Sequence, residues 1–138
     1  MSKTESNMSQ KILVVDDSSF MHSMYDMVLR SCGNCEIVHA MNGQEALDEL
    51  GQSAEFNLII LDINMPEMSG LEFMEKYRSS GLPTSVPIII ASTEGTEGDT
   101  KRGLDAGAMA YLKKPFQPSD LQELVNGVLG SGSGRKAV

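Results

Sequence analysis

The sequence predicts a doubly wound α/β domain in which five parallel strands alternate with five helices. Short runs of four or five apolar residues recur along the chain, and segments with helical periodicity separate them. These runs are apolar throughout instead of alternating between apolar and polar, which is typical of parallel strands covered on both faces. The chain has 138 residues, of which 41% are hydrophobic, and this is enough for one such domain.

The apolar runs give five strand candidates: Ile12–Val15, Glu36–His39, Leu58–Leu61, Ile88–Ala91 and Ala108–Leu112. The first helix is predicted from apolar residues at positions i, i+4, i+7 and i+8, which we expect to form its buried face: Phe20, Met24, Met27 and Val28. The last helix shows apolar residues at i, i+3, i+4 and i+7, again forming one face: Leu121, Leu124, Val125 and Val128.

Capping patterns place two helix starts. Ser69 stands three residues before Glu72, and Ser119 stands three residues before Gln122. A Ser or Thr followed three residues later by Glu or Gln is typical of a capping box at a helix N-terminus. We therefore predict that one helix begins after the third strand and another after the fifth.

The second and fourth helices have weaker signals. The second is predicted over the short stretch Ala46–Leu50. The fourth is predicted near Thr96–Ala106 and contains Gly98 and Gly103. Each glycine inside a helix costs about 1 kcal/mol relative to alanine, so we expect the fourth helix to be the loosest.

The charge and the ends of the chain restrict the classes of function. The formal net charge is −8, which opposes nucleic-acid binding because that requires clustered Lys and Arg. The apolar runs are far shorter than a membrane span, and the polar start lacks the apolar region of a signal peptide, so we expect a soluble, cytoplasmic protein without membrane insertion. We expect a folded domain over 10–129, with flexible segments at 1–9 and, rich in Gly and Ser, at 130–138.

The two cysteines form the segment Cys32-Gly33-Asn34-Cys35, which raises the question of a zinc or redox site with His39 as a further ligand. No second cysteine pair exists. Reactive pairs of this kind lie at helix N-termini, whereas Gly-Asn is typical of a helix end. We interpret the cysteines as ordinary thiols near a turn. For His22 and His39 the sequence indicates no partner.

Polar side chains follow four of the predicted strands. Asp16 and Asp17 follow the first strand, Asp62 the third, Ser92 the fourth and Lys114 the fifth. In a parallel sheet the carboxyl ends of the strands lie at one edge, which is where ligands bind in open α/β sheets. We therefore expect these side chains to converge although they are far apart in the sequence.

Three converging carboxylates need positive charge beside them. Two unit charges about 4 Å apart repel by ~4 kcal/mol at an effective dielectric constant near 20. Mg²⁺ fits this requirement because it prefers carboxylate and carbonyl oxygens and keeps several waters, which leaves room for phosphate oxygens. Lys114 adds a second positive charge suited to phosphate.

Four motifs in this order and spacing resemble the receiver domain of two-component response regulators, particularly its single-domain, CheY-like members: ILVVDD, LIILDINMPEMSG, PIIIASTE and AYLKKPF. The resemblance covers residues 11–129 and implies the strand order 2-1-3-4-5. It implies that Asp62 is the nucleophile that accepts a phosphoryl group from a histidine kinase. It also implies a Mg²⁺ site whose ligands are Asp16, Asp17, Asp62 and the backbone carbonyl of Asn64.

The resemblance also implies how phosphorylation is read. Lys114 would pair with the phosphoryl oxygens, and its bond to Pro115 would be cis, which X-Pro bonds tolerate. Ser92 would be the switch hydroxyl and Tyr111 the aromatic residue that turns inward after it moves. We expect a partner such as the flagellar switch to bind the face formed by the fourth helix, the fifth strand and the fifth helix.

Residues beside the switch hydroxyl are expected to affect hydrolysis of the phosphorylated state, and one of them departs from the family pattern. Thr93 stands where the family often has Ala or Gly, so its branched side chain is predicted to hinder the water that hydrolyses the phosphorylated state. Glu94, like Asn64, flanks the same opening.

Simpler interpretations and other functions remain open at this point. Taken singly, Asp16 and Asp17 could cap a helix, Asp62 could form a turn and Lys114 could be a solvated charge. A phosphatase of the haloacid dehalogenase-like class would need Asp-x-Asp after the first strand, whereas the chain has Asp-Asp-Ser-Ser. In a flavodoxin-like nucleotide binder the same aspartates would repel the phosphate. A receiver cut from a longer regulator, or one serving a pathway other than chemotaxis, is the further alternative.

Overall fold

The computed structural model describes residues 10–30, 35–52, 55–65, 68–82, 85–93 and 97–130. Within these ranges the strands are β1 (Gln10–Val15), β2 (Cys35–Ala40), β3 (Leu58–Leu61), β4 (Ile88–Ser92) and β5 (Ala110–Lys113). The helices are α1 (Ser19–Arg30), α2 (Gly43–Gln52), α3 (Gly70–Arg78), α4 (Glu97–Asp105) and α5 (Pro118–Gly130). Of the segments predicted to be flexible, 1–9 and 130–138, only Gly130 is described, and it ends α5.

The five strands form one parallel sheet in the order β2-β1-β3-β4-β5. The predicted strand order and fold class are confirmed. Strand β1 lies between β2 and β3. The connection after β1 leads to β2 on one side of it, and the connection after β2 leads to β3 on the other side. Val15 is paired with Leu61 at the carboxyl ends of β1 and β3, and this is the topological switch point at which such sheets bind ligands.

Alternate residues of the strands pack into two separate apolar layers. One layer joins the sheet to α2 and α3 and includes Leu13, Val15, Ile59, Leu61, Phe73 and Met74. The other joins the sheet to α1 and α5 and includes Ile12, Val14, Ile60, Leu29, Leu121 and Val125. Burial on both faces explains why the strand sequences are apolar at consecutive positions.

The predicted buried face of α1 is right for Val28 and for the partly buried Met24, which packs against the core, but wrong for Phe20 and Met27. Phe20 is 77% exposed, and Met27 also faces the solvent. The helix instead buries His22, Tyr25 and Leu29, together with Val28. The inner face therefore carries two residues with polar atoms, which a pattern of purely apolar positions does not detect.

Helix ends account for the other differences. Ser69 caps α3 as predicted, because its hydroxyl accepts from the Glu72 N–H while the Glu72 carboxylate accepts from the Ser69 N–H. The capping box predicted at Ser119 is wrong: α5 begins at Pro118, a position that suits proline because a first-turn N–H has no helical partner. Helix α2 is longer than predicted. No helix in the described ranges is both long and apolar enough to cross a membrane.

Candidate functional site

The ends of β1 and β3 bring two carboxylates together. Asp16 follows β1 directly, and its N–H donates to the Ala40 carbonyl at 3.1 Å. Asp62 follows β3, and its N–H donates to the Val15 carbonyl at 2.9 Å. The hydrogen-bond ladder thus continues one residue past the strands, and the rigid sheet fixes the backbone of both aspartates side by side.

Lys114 follows the edge strand β5, and its side chain extends to this pair. Its Nζ donates to Oδ2 of Asp16 at 2.7 Å and lies 3.8 Å from Oδ1 of Asp62. Its backbone N–H donates to the Ser92 carbonyl at 2.8 Å, which extends the β4–β5 ladder, and its bond to Pro115 is cis, as predicted. The ammonium group is thus placed to balance the charges of both carboxylates.

The third carboxylate opens the site to solvent. One carboxylate oxygen from each of Asp16, Asp17 and Asp62 lies within 4.8 Å of the others. Asp16 is 1% exposed and Asp62 5% exposed, whereas Asp17 is exposed. Asp16, Asp17, Asp62 and Lys114 therefore converge as predicted, and the group is exposed to solvent at Asp17.

The pKa of Asp62 is raised from 3.8 to about 6, and burial of the carboxylate is the largest cause. The ammonium group of Lys114 lowers this pKa, the charge of Asp16 raises it, the hydrogen bond from the Asn64 N–H lowers it, and Asp17 raises it. The Asn64 N–H lies 3.2 Å from Oδ1 of Asp62. Burial and the neighbouring carboxylates therefore outweigh the single cation, and the ionised site has a deficit of positive charge.

The donor atoms fit Mg²⁺. The three aspartates offer hard carboxylate oxygens, which Mg²⁺ prefers, and the group contains no His or Cys among the described residues. Among the described residues this is the one group of acidic, His or Cys side chains with the spacing of a metal site. Asn64 is exposed beside it, and its N–H rather than its carbonyl contacts Asp62.

A buried tyrosine that the sequence analysis missed lies near the carboxylates. The Tyr25 hydroxyl is buried and has no hydrogen-bond partner among the described residues. Burial raises its pKa, and the charges of Asp16 and Asp62 raise it further, so the hydroxyl lies within the electric field of the site. Positions 22, 25 and 29 share one face of a helix, and this spacing is the signal that could have identified it.

The predicted switch residues lie on neighbouring strands. Ser92 ends β4 and is fully buried, and Tyr111 of β5 is half-buried and paired with Ile90. A Cβ atom at Gly103 of α4 would lie 3.4 Å from the Tyr111 ring and 2.7 Å from Ile90 Cδ1. Helix α4 therefore rests directly on Tyr111. Thr93 is exposed at the end of β4.

The structure describes only part of the two regions around Glu94 and the cysteine pair. Glu94 and the segment from Cys32 to Asn34 lie outside the described residues. Cys35 begins β2 as a thiol and not in a disulfide. Both ring nitrogens of His39 are engaged, one by His22 and one by Asp26, so neither points to a cysteine.

Comparison with known proteins agrees with this geometry. A family model described as the response regulator receiver domain matches residues 12–126. A chemotaxis protein CheY homolog from Campylobacter jejuni is 41% identical over 127 residues, which cover 92% of this chain and 98% of the relative. Chemotaxis protein CheY1 from Helicobacter pylori is 40% identical over 121 residues, covering 88% and 98%.

The fold is shared with solved structures as well. The chemotaxis protein CheY4 from Vibrio cholerae matches with a TM-score of 0.79 at 34% identity, over 87% of this chain and 98% of that protein. The family match spans all the strand-end motifs, so the phosphatase and flavodoxin-like alternatives are set aside. The chain belongs to the response regulator receiver domain family.

Proposed function

We propose that this chain is a signalling module in which Asp62 accepts a phosphoryl group from the phosphohistidine of a histidine kinase. The observation that carries the proposal is the position of the Lys114 ammonium group, 2.7 Å from Asp16 and 3.8 Å from Asp62. A fixed cation beside a carboxylate at a strand end favours a group that arrives with several negative oxygens.

The transfer step needs the ionised form of Asp62. A carboxylate oxygen forms a bond to phosphorus, and the bond between phosphorus and the imidazole nitrogen breaks. The electron pair of that bond stays on the imidazole of the kinase, which takes a proton from solvent. The product is a mixed anhydride on Asp62, with its phosphoryl oxygens facing Lys114.

Mg²⁺ is the cofactor in this proposal, with Asp16, Asp17 and Asp62 holding it through carboxylates and Asn64 through its backbone carbonyl. When bound, it neutralises charge on the carboxylates and on the phosphoryl oxygens. Three carboxylates beside one ammonium group leave the site short of positive charge, which supports this assignment.

The same site promotes hydrolysis of the phosphorylated state. A water molecule attacks phosphorus, the bond to the Asp62 oxygen breaks, and inorganic phosphate leaves while the carboxylate is restored. Asn64 and Thr93 are both exposed, and in this proposal they flank the opening that this water uses. The chain promotes its own phosphorylation and dephosphorylation in this scheme and turns over no other substrate.

Phosphorylation is read on the surface formed by α4, β5 and α5. The Ser92 hydroxyl donates to a phosphoryl oxygen, and the Tyr111 ring moves inward beneath Gly103. Leu104 and Met109 are large apolar side chains exposed on this part of the molecule, which suits a protein partner. The change is one of packing, from a charged group at Asp62 to the surface above β5.

The output that we propose is of the chemotaxis type. The relatives from Campylobacter, Helicobacter and Vibrio are named as chemotaxis proteins, and each matches this chain over nearly its own whole length. A component of the flagellar switch is the downstream partner in this proposal, with a histidine kinase as the donor. The proposal places the protein in the cytoplasm with both.

Labelling with acetyl phosphate tests the acceptor. We expect the wild-type chain with Mg²⁺ to gain one phosphoryl group by intact-mass measurement, and Asp62→Asn to gain none. Asp48→Asn is the matched control, because Asp48 is an exposed aspartate on α2 outside the site. Full labelling of Asp62→Asn would place the acceptor elsewhere and refute the proposal.

A further inference from the structure

Two histidines and an aspartate form a continuous hydrogen-bonded chain that ends at the candidate metal site. His39 Nε2 lies 2.9 Å from Oδ1 of Asp26, and His39 Nδ1 lies 2.5 Å from Nδ1 of His22. His22 Nε2 in turn lies 2.7 Å from the backbone carbonyl oxygen of Asp16. The chain leads from half-exposed side chains on α1 and β2 to a buried backbone group.

The acceptors at the two ends fix the direction of the two outer bonds. A backbone carbonyl can only accept, so Nε2 of His22 donates to Asp16. A carboxylate likewise accepts from Nε2 of His39. The remaining contact joins the two Nδ1 atoms, and it is a hydrogen bond when one of the two rings carries a proton on both of its nitrogens. His39 and Asp26 therefore orient the His22 ring so that its donor points at Asp16.

His22 completes the fixation of Asp16. The Asp16 N–H donates to Ala40, Oδ1 accepts from the Ser18 N–H at 2.9 Å, and Oδ2 accepts from Lys114. With the bond from His22 to the carbonyl, both main-chain polar groups and both carboxylate oxygens of Asp16 are held. This residue and its neighbour Asp17 provide two of the three carboxylates of the site.

We infer that His22 is a positioning residue for the metal site, oriented by His39 and Asp26. It sets the peptide plane of Asp16, and through that plane the direction of both aspartate side chains, so that they are arranged for Mg²⁺ before it binds. The inference rests on the proposed Mg²⁺ site. A buried partner that orients a metal ligand typically accounts for roughly 10- to 100-fold in metal affinity.

Two amide substitutions separate this role from simple core packing. In His22→Gln the amide nitrogen reaches about as far as ring Nε2 and can still donate to Asp16. In His22→Asn the amide group reaches only the position of Nδ1, so it can contact His39 but not Asp16. Both variants place an amide in the same buried position and are comparably destabilising, so loss of stability alone should affect them alike.

The measurement is Mg²⁺ binding to each folded variant by isothermal titration calorimetry, with the initial rate of acetyl phosphate labelling at saturating Mg²⁺ as a second readout. We expect His22→Asn to raise the dissociation constant by roughly tenfold, and His22→Gln to stay within about threefold of wild type. At saturating Mg²⁺ the labelling rate of His22→Asn should return toward that of wild type. His39→Leu should raise the dissociation constant less than His22→Asn does.

A dissociation constant of His22→Asn equal to that of wild type would overturn the inference, and so would equal losses in the Gln and Asn variants. Both results would leave the acceptor site intact, because they require Mg²⁺ binding by the wild-type chain. Failure of the wild-type chain to bind Mg²⁺ would instead refute the metal site and this inference with it. An unchanged constant in His39→Leu would remove His39 and Asp26 from the orienting chain.

Discussion

Helices α1 and α4 follow two of the strands that carry site residues, yet they are packed very differently. Helix α1 begins three residues after Asp16 and buries His22, Tyr25 and Leu29 against the sheet. Helix α4 follows the end of β4, and Gly103 is its buried residue among those whose exposure is described. Here a backbone without a side chain, and not an apolar face, meets Ile90 and Tyr111.

This difference separates a fixed part of the site from a part that can move. Burial of an apolar side chain contributes roughly 1.5–3 kcal/mol, so displacing α1 would lose several such contributions at once. Displacing α4 would lose few of them, and elements with few buried apolar contacts open at low free energy. The carboxylates are therefore held by the rigid side, whereas the proposed response of Tyr111 lies under the loose side.

Truncating one leucine in each helix tests the comparison directly. Leu29 is 0% exposed and Leu104 is 43% exposed. We expect Leu29→Ala to lower the free energy of unfolding by about 2–5 kcal/mol, the range for a leucine in a packed core. Leu104→Ala should change this free energy by about 0.5 kcal/mol or less, because the Leu104 side chain is already in contact with water and alanine favours the helix. Urea denaturation followed by circular dichroism measures both.

Equal losses in the two variants would show that α4 is packed as firmly as α1 and would refute the comparison. Leu104→Ala should also weaken partner binding if α4 contributes to the proposed surface. Its unchanged stability makes it a suitable variant for that assay, since any loss of binding would then be local.

Asp62→Asn tests how strongly the fixed part of the site disfavours an ionised carboxylate. The folded pKa of Asp62 is about 6 and its ordinary value is 3.8, so the fold favours the protonated form. The stability contributed by that preference is complete below about pH 4 and is lost as the pH rises through about 6. Without Mg²⁺ at pH 7 we therefore expect Asp62→Asn to be more stable than wild type by on the order of 2 kcal/mol.

The pH dependence of that difference is the diagnostic result. Thermal unfolding without Mg²⁺ should show the advantage of Asp62→Asn over wild type growing from pH 4 to pH 7. Asp48→Asn, an exposed control, should follow the wild-type curve. A difference that stays constant across this range would mean that burial and the neighbouring carboxylates do not disfavour the charged form.

Tyr25→Phe tests the rigid side at a single atom. The Tyr25 hydroxyl is buried without a partner among the described residues, and an unpaired buried polar group typically costs about 1–3 kcal/mol. We expect the variant, measured without Mg²⁺, to gain about 1 kcal/mol in the free energy of unfolding. A loss of stability would show that the hydroxyl has a partner in solution, such as an ordered water of the site.

The sequence predicted the sheet and the strand-end residues because both depend on local patterns. Continuous apolar runs identify buried parallel strands, and topology alone then brings Asp16, Asp62 and Lys114 to one pocket. Contacts in the structure join the side chains of these three residues, and the carbonyl of Ser92 accepts from the Lys114 N–H. The exposed position of Asp17 and the engagement of Lys114 mainly with Asp16 required coordinates.

The inner face of α1 could not be predicted in the same way. Phe20 and Met27 are apolar and exposed, whereas His22 is polar and buried, because hydrogen bonds to Asp16 and His39 compensate its burial. Such compensation depends on partners from β1 and β2, which are distant in the sequence. A pattern of apolar residues on a single helix carries no information about them.

Thr93 lies on the loose side of the molecule and gives the smallest predicted effect. Its exposed side chain follows the buried Ser92, and our proposal is that it narrows the path of the water that hydrolyses phosphorylated Asp62. If the branched shape hinders this water, Thr93→Ala should dephosphorylate roughly three- to tenfold faster, which corresponds to about 1 kcal/mol in the barrier. Thr93→Val keeps the shape without the hydroxyl and should decay at the wild-type rate. The decay of the labelled protein after removal of acetyl phosphate measures all three chains.

An Ala variant no faster than wild type would exclude hindrance by Thr93. A Val variant as fast as the Ala variant would assign the effect to the hydroxyl group instead of the branched shape.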